Sequence, residues 1–139
     1  MPSFHDSVTT PAPPEEVWKI LYDPHRFPEW WTGIETVETD AGRDGGSERR
    51  YTMYPQGYPD FPMPQELRSS RGDGRVVVSC LVSDLRFEWR LEPDAEGTRI
   101  SVDVDIPEKE AHRLEGQRER IAASLARLGE LAAEGESED

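Results

Sequence analysis

The last third of the sequence alternates apolar and polar residues along two segments and then changes to a helical spacing. Residues 85–91 and 100–106 carry apolar side chains at every second position. Because successive side chains of a strand point to opposite faces, each segment predicts a strand with one buried and one wetted face. After Pro107, apolar residues follow at spacings of seven, four, three and four, which predicts one long helix with a continuous apolar stripe. Any fold of this chain must therefore lay a long helix across the dry face of an antiparallel sheet.

Weaker patterns predict the other elements. Pro14 and the pair Asp23-Pro24 are typical starts of two short helices, and Pro28 limits the second. Ser83-Asp84, read as a two-residue hairpin turn, places Val82, Cys80 and Val78 opposite Leu85, Phe87 and Trp89 on the dry face. The predicted strands are residues 3–9, 34–42, 47–55, 64–72, 75–84, 85–93 and 98–106.

This order of elements predicts an α+β fold. A curved antiparallel sheet of six to seven strands wraps around the long C-terminal helix, and two short helices follow the first strand. Two short helices at one end are too small to cover the rest of the dry face. We therefore expect a cavity between the sheet and the long helix.

The charge balance restricts the partners. The chain carries 29 Asp and Glu against 16 Lys and Arg, a net charge of -13, and it contains no basic block. Nucleic acids and anionic membranes are poor partners for such a chain. No apolar run is long enough to span a bilayer. The single cysteine, Cys80, cannot form an internal disulfide, and the first ten residues do not have the pattern of a signal peptide, so we expect a cytoplasmic protein.

Two stretches carry a resemblance to a known family: "APPEEVWKILYDPHRFPEWW" near the start, and "FEWRLEPDAEGTRISVDV" near the end. With the order of elements, they resemble the START-like superfamily, also called SRPBCC, which includes birch-pollen allergens and polyketide cyclase/dehydrase proteins. The resemblance implies a helix-grip fold with a deep apolar pocket, formed by one domain over residues 1–133 and followed by a disordered acidic tail at 134–139. It transfers no catalytic residue, because the family has no universal catalytic motif.

Three tryptophans within residues 14–31 and the loop 54–64 are the most unusual features. The spacing of Trp18 favours a core position, whereas adjacent Trp30 and Trp31 point in different directions, so we expect one of them to be partly exposed. The loop carries four prolines with large apolar side chains, which favours a lid over the pocket mouth; packing against the sheet edge is the alternative.

The leading hypothesis is a binding protein for a small hydrophobic molecule, lipid-, aromatic- or polyketide-like, without a cofactor. An alternative is a polyketide cyclase, aromatase or dehydratase that uses the same pocket, and a second is a protein-interaction module resembling activators of a chaperone ATPase. No His, Cys or Asp pattern has metal-binding spacing. Oligomeric state is left open. The weak catalytic candidates are Tyr51, Tyr54, Tyr58 and His5. The predicted ligand-binding residues are Trp30, Tyr54, Phe61, Val78, Cys80, Phe87, Trp89, Val102, Val104, Leu114, Ile121 and Leu125.

Overall fold

Seven strands form one antiparallel sheet, ordered β1-β7-β6-β5-β4-β3-β2, in a computed structural model that describes residues 3–39, 48–58 and 60–137. The first and last strands of the chain pair with each other, so one edge of the sheet depends on a long-range contact. Residues 40–42 and 47 of two predicted strands lie outside the described residues, as does the segment 43–46 between them. The strands are β1 (Ser3–Thr10), β2 (Ile34–Thr39), β3 (Glu48–Pro55), β4 (Met63–Ser70), β5 (Arg75–Cys80), β6 (Arg86–Asp94) and β7 (Gly97–Asp105).

Three α-helices lie on the concave face or at its end: α1 (Pro14–Leu21), α2 (Phe27–Trp30) and α3 (Leu114–Ser137). A 3₁₀ turn over 24–26 precedes α2, and Asp23 caps it by accepting a hydrogen bond from the backbone N–H of His25 at 3.0 Å. Pro28 falls within the first turn of α2, where a missing N–H costs nothing. Residues 108–113 form a second 3₁₀ segment before α3.

The helix α3 lies along one side of the sheet. It packs against β1, α1 and α2. Its apolar stripe is buried in the same core cluster as the odd-numbered β6 and even-numbered β7 residues of the concave face. This is the α+β helix-grip architecture that the sequence predicts. No helix in the described part of the chain is both long and apolar enough to cross a membrane.

The predicted two-residue turn between β5 and β6 is wrong. The strands are joined by a five-residue loop, 81–85, whose Asp84 has a left-handed φ of +62° and donates its N–H to Cys80 O at 3.0 Å. Val78 therefore lies opposite Phe87 rather than opposite Trp89. Val82, predicted on the dry face, is half exposed. Because the register moves by two residues, the faces of the paired residues are unchanged.

At the C-terminus, α3 extends into the segment that was predicted as an acidic tail. The helix continues to Ser137, so residues 134–137 of the predicted acidic tail form its last turn. Residues 138 and 139 lie outside the described part of the chain.

Candidate ligand-binding site

A cavity of about 730 Å³ opens between the sheet and the first two turns of α3. It lies beside the region where the stripe of α3 meets the sheet. Strands β3 to β6 form its floor, and the segment between α2 and β2 closes one side. The lining residues are Trp31, Thr32, Gly33, Ile34, Tyr51, Met53, Pro55, Gln56, Tyr58, Phe61, Met63, Gln65, Cys80, Ser83, Leu85, Phe87, His112, Arg113, Gly116, Gln117 and Arg120.

An aromatic cluster closes the inner end of the cavity. Trp31, only 6% exposed, stacks on Trp30 with ring centroids 5.4 Å apart and meets the edges of Phe87 and Trp89 at 5.0 and 5.2 Å. Phe27 packs behind them, 5.0 Å from the Trp31 ring. Such tilted and edge-on contacts hold aromatic rings in fixed orientations. The inner wall is therefore rigid and apolar.

The helix side of the cavity is built from positions 113, 116, 117 and 120 of the chain, which share one face of the helical turns. Gly116 is the central position of this face. A Cβ placed on it would meet no atom within 4 Å outside its own helix. The glycine therefore leaves open space where a side chain would project.

The loop between β3 and β4 lies at the mouth. Its position is fixed by a hydrogen bond from Gln56 N to Gly33 O at 3.0 Å. Tyr58 and Phe61 line the opening and are 68% and 56% exposed. Two exposed apolar side chains at the edge of an apolar cavity are typical of a binding-site entrance.

Polar groups reach the cavity at a few points. Tyr51 is buried beside Cys80, and burial raises the pKa of its hydroxyl well above 10.0, with a smaller contribution from Cys80. Gln65 lies opposite Tyr51 in the β3–β4 register and donates to Met63 O at 3.3 Å. The hydroxyl of Ser83 is buried without a hydrogen-bond partner among the described residues. Those residues contain no cluster of three or more His, Cys, Asp or Glu arranged for a metal.

The comparison with protein families decides the assignment. A family model described as "Polyketide cyclase / dehydrase and lipid transport" matches residues 1–133. The chain belongs to this family. Its family membership and its fold together support a domain that binds hydrophobic ligands, as the sequence resemblance implied.

Several solved structures have the same fold as this member of the polyketide cyclase/dehydrase and lipid transport family. Protein NE0264 from Nitrosomonas europaea has a TM-score of 0.73 at 17% identity, over 97% of this chain and 96% of its own. TTHA0849 from Thermus thermophilus has 0.71 at 20% identity, over 96% and 99%. Ara h 8.0201 has 0.63 at 14% identity, over 94% and 97%. No match was found among curated proteins.

The structure brings only part of the predicted set to the cavity of this family member. Phe61, Cys80 and Phe87 line it, as do the catalytic candidates Tyr51 and Tyr58. Residues that pack in the core instead, outside the cavity lining, are Trp30, Val78, Trp89, Val102, Val104, Leu114, Ile121 and Leu125. The expectation that Trp30 or Trp31 is partly exposed is wrong, because both are buried.

Two candidates lie on the opposite face of the sheet. The Tyr54 hydroxyl donates to Glu38 at 3.3 Å, and His5 Nδ1 lies 2.8 Å from Asp103 Oδ1. Alternation from Tyr51 and Met53, which line the cavity, sends Tyr54 to the convex face.

Sequence reasoning missed Trp31, Gln65, Gln117 and Arg120. Gln65 had a usable signal, because it lies two residues before the apolar Leu67 and alternation therefore places both on one face of β4.

Proposed function

We propose that this protein binds a small hydrophobic molecule, of lipid-, aromatic- or polyketide-like chemistry, in the cavity beside α3. The observation that carries the proposal is an opening of about 730 Å³ whose inner wall is aromatic. Volumes of about 300–1,000 Å³ are usual for small-molecule sites. Burial of apolar ligand surface would supply the affinity, at about 25 cal/mol per Å² before the costs of association.

The loop between β3 and β4 is the proposed lid. Tyr58 and Phe61 lie at the opening with more than half of their surface exposed, so a bound guest would gain apolar contacts if they folded over it. The backbone hydrogen bond from Gln56 to Gly33 anchors the base of this loop.

The geometry favours binding over catalysis by the residues named from the sequence. Tyr51 is the buried candidate in the cavity, and its phenol is protonated at neutral pH as an ordinary tyrosine is, with a pKa that burial raises further above 10.0. It is therefore suited to donate a hydrogen bond to a ligand carbonyl rather than to abstract a proton. Tyr54 and His5 face away from the cavity.

The protein-interaction alternative loses its main argument. An interior filled by large side chains would favour it, whereas the structure contains a cavity of ligand size. We also propose a cytoplasmic location, which the single buried cysteine supports.

Binding of the uncharged fluorescent probe N-phenyl-1-naphthylamine tests the proposal. A Gly116→Leu variant projects a side chain into the open space at the cavity and improves helix propensity, so we expect it to fold and to weaken probe binding by at least roughly tenfold, about 1.4 kcal/mol. Ala126→Leu, which adds the same side chain on the exposed face of α3, is the matched control and should bind like the wild type.

Equilibrium fluorescence titrations give the dissociation constants, and circular dichroism checks the fold of each variant. If Gly116→Leu folds and binds the probe as tightly as Ala126→Leu does, the cavity is not the binding site. If the wild type does not bind the probe, the proposed function is wrong.

A further inference from the structure

Charge is distributed unevenly around the cavity. The chain carries 29 acidic residues, yet no acidic side chain is among the described residues that line the cavity. Its charged lining is basic and comes from one side, where His112, Arg113 and Arg120 belong to α3 and the segment before it. In a protein of net charge -13, a purely basic rim is the opposite of what average composition would produce.

Arg120 differs from the other basic residues of this region because its charge is not compensated. Arg113 Nε lies 2.7 Å from Glu110 Oε2, and His112 Nε2 lies 3.8 Å from the same oxygen. The guanidinium of Arg120 has no hydrogen bond or ion pair within the described ranges. The end of its side chain, from Cδ to Nη1, lies beside Gly33. An unpaired guanidinium presents several N–H donors in the fork that suits oxyanions.

The surroundings of Arg120 add positive potential and one further donor. Gly116 and Gln117 belong to the first turn of α3, where the helix dipole contributes positive potential. The Ser83 hydroxyl on the other side of the cavity is buried without a partner among the residues that the structure describes. The apolar wall, the basic rim and the unpartnered Ser83 hydroxyl therefore belong to one opening.

We propose that the guest is an amphipathic anion, whose apolar body enters the cavity and whose carboxylate, sulfonate or phosphate binds Arg120 at the mouth. This inference rests on the proposed function, since it assumes that the cavity takes a hydrophobic guest. The net negative charge of the whole protein repels anions from most of its surface, so anion binding reports a local cationic site. Arg120 selects the headgroup, and the aromatic wall accepts the body.

Two probes that differ by one charged group test the inference. The anion 8-anilinonaphthalene-1-sulfonate is N-phenyl-1-naphthylamine with an added sulfonate, so the ratio of their dissociation constants isolates the contribution of the charge. In Arg120→Gln we expect the anionic probe to bind roughly tenfold more weakly while the neutral probe stays within about twofold of the wild type.

Arg127→Gln is the matched control, because Arg127 lies two turns further along α3 and pairs with Glu130 at 3.4 Å and Glu134 at 3.7 Å. It removes the same charge from the same helix and should leave both affinities unchanged. The inference is overturned if the ratio of the two dissociation constants is unchanged in Arg120→Gln. It is also overturned if Arg127→Gln weakens binding of the anionic probe as much as Arg120→Gln does. In either case, the proposed function would still hold if Gly116→Leu weakens binding of the neutral probe. No binding of the neutral probe to the wild type overturns both.

Discussion

Glu88 is a buried carboxylate on the convex face of the sheet, and only 7% of it is exposed. Arg75 Nε lies 3.2 Å from Oε2 of Glu88, Arg86 Nη1 lies 3.3 Å from its Oε1, and Arg90 Nε donates to Oε2 at 2.9 Å. Burial by itself raises the pKa of Glu88, but the hydrogen bonds from Arg90 and Arg75 outweigh it, and the pKa lies below 4.5. Glu88 on β6 is thus linked to β5 through Arg75. It is linked indirectly to β7, because Arg86 and Arg90 also pair with Asp105 and Asp103.

We expect Glu88→Gln to lower the free energy of unfolding by about 1–2 kcal/mol near neutral pH, because hydrogen bonds to a charged group are lost and the half-exposed arginines moderate the effect. A lowered pKa in the folded state means that the contribution is complete above pH 4.5 and is lost as the pH falls through the folded-state value. The gap between wild type and variant should therefore close in acid.

Urea unfolding at a series of pH values measures this gap. Glu92→Gln changes an exposed carboxylate on the same face of β6 and should have a much smaller effect. A gap that stays constant from neutral to acid pH would show that Glu88 does not act through its charge.

At the residue scale, the alternation of apolar and polar residues was sufficient to predict the face of the sheet on which a side chain lies. It was insufficient to predict whether that side chain packs in the core or lines the cavity. The sequence correctly predicted that Phe87 and Trp89 lie on the concave face, and both were predicted to bind the ligand. Trp89 nevertheless packs under Trp30 at 5.2 Å, whereas Phe87 reaches the cavity. Core and cavity wall demand the same apolar side chains, so only the packing of distant elements distinguishes them.

The turn between β6 and β7 shows how a single element fixes the position of others. Gly97 has a φ of +146°, and a Cβ on it would lie 2.2 Å from Thr10 O and 2.7 Å from the Pro11 carbonyl carbon. The next residue, Thr98, donates its hydroxyl to Ala12 O at 2.8 Å. The Gly97-Thr98 pair, which lies within the second stretch that carries the family resemblance, therefore holds the chain between β1 and α1 against the end of the sheet.

We expect Gly97→Ala to destabilise the fold by more than about 2 kcal/mol, because the backbone conformation is unfavourable for alanine and backbone atoms block its Cβ. Gly116→Ala has the opposite expectation, a gain of up to about 1 kcal/mol, since a helical glycine with open space around it only weakens the helix. Chemical denaturation of both variants beside the wild type gives the two signs. A Gly97→Ala protein as stable as the wild type would mean that this close approach does not exist.

Element order was predictable from the sequence, and hairpin geometry was less so. All seven predicted strands are present, because period-2 alternation and flanking turn residues are strong local signals. The loop 81–85 was missed because Ser-Asp was interpreted as a tight turn, whereas Asp84 adopts the left-handed conformation of a longer loop. The pattern of a strand does not distinguish its last two residues from the start of the loop.

At the scale of the whole molecule, the interior is divided into a filled part and an open part. The helix α3 packs on β1, and its stripe belongs to one buried core cluster with the inward-facing residues of β6 and β7. Strands β3 to β5 lie further from it, and the cavity occupies that side. A sheet wider than the helix that covers it leaves room where no second layer exists.

This asymmetry was not predictable from the sequence. The apolar stripe of α3 predicts that the helix covers the sheet, but the strands that it covers depend on the pairing of β1 with β7. That pairing joins opposite ends of the chain, and local spacing does not encode it. The predicted pocket was consequently assigned to residues such as Val102 and Leu125, which fill the core beside the cavity.

The side-chain indole signals of the four tryptophans test the central claim that the cavity beside α3 is the binding site. Trp31 lines the cavity, whereas Trp18 stacks on Tyr22 away from it, and Trp30 and Trp89 pack behind Trp31. In a ¹H–¹⁵N NMR titration with N-phenyl-1-naphthylamine, we expect the Trp31 indole signal to shift most, those of Trp30 and Trp89 less, and that of Trp18 least. A titration in which the probe binds and the Trp31 signal does not move, or moves less than that of Trp18, would contradict the account.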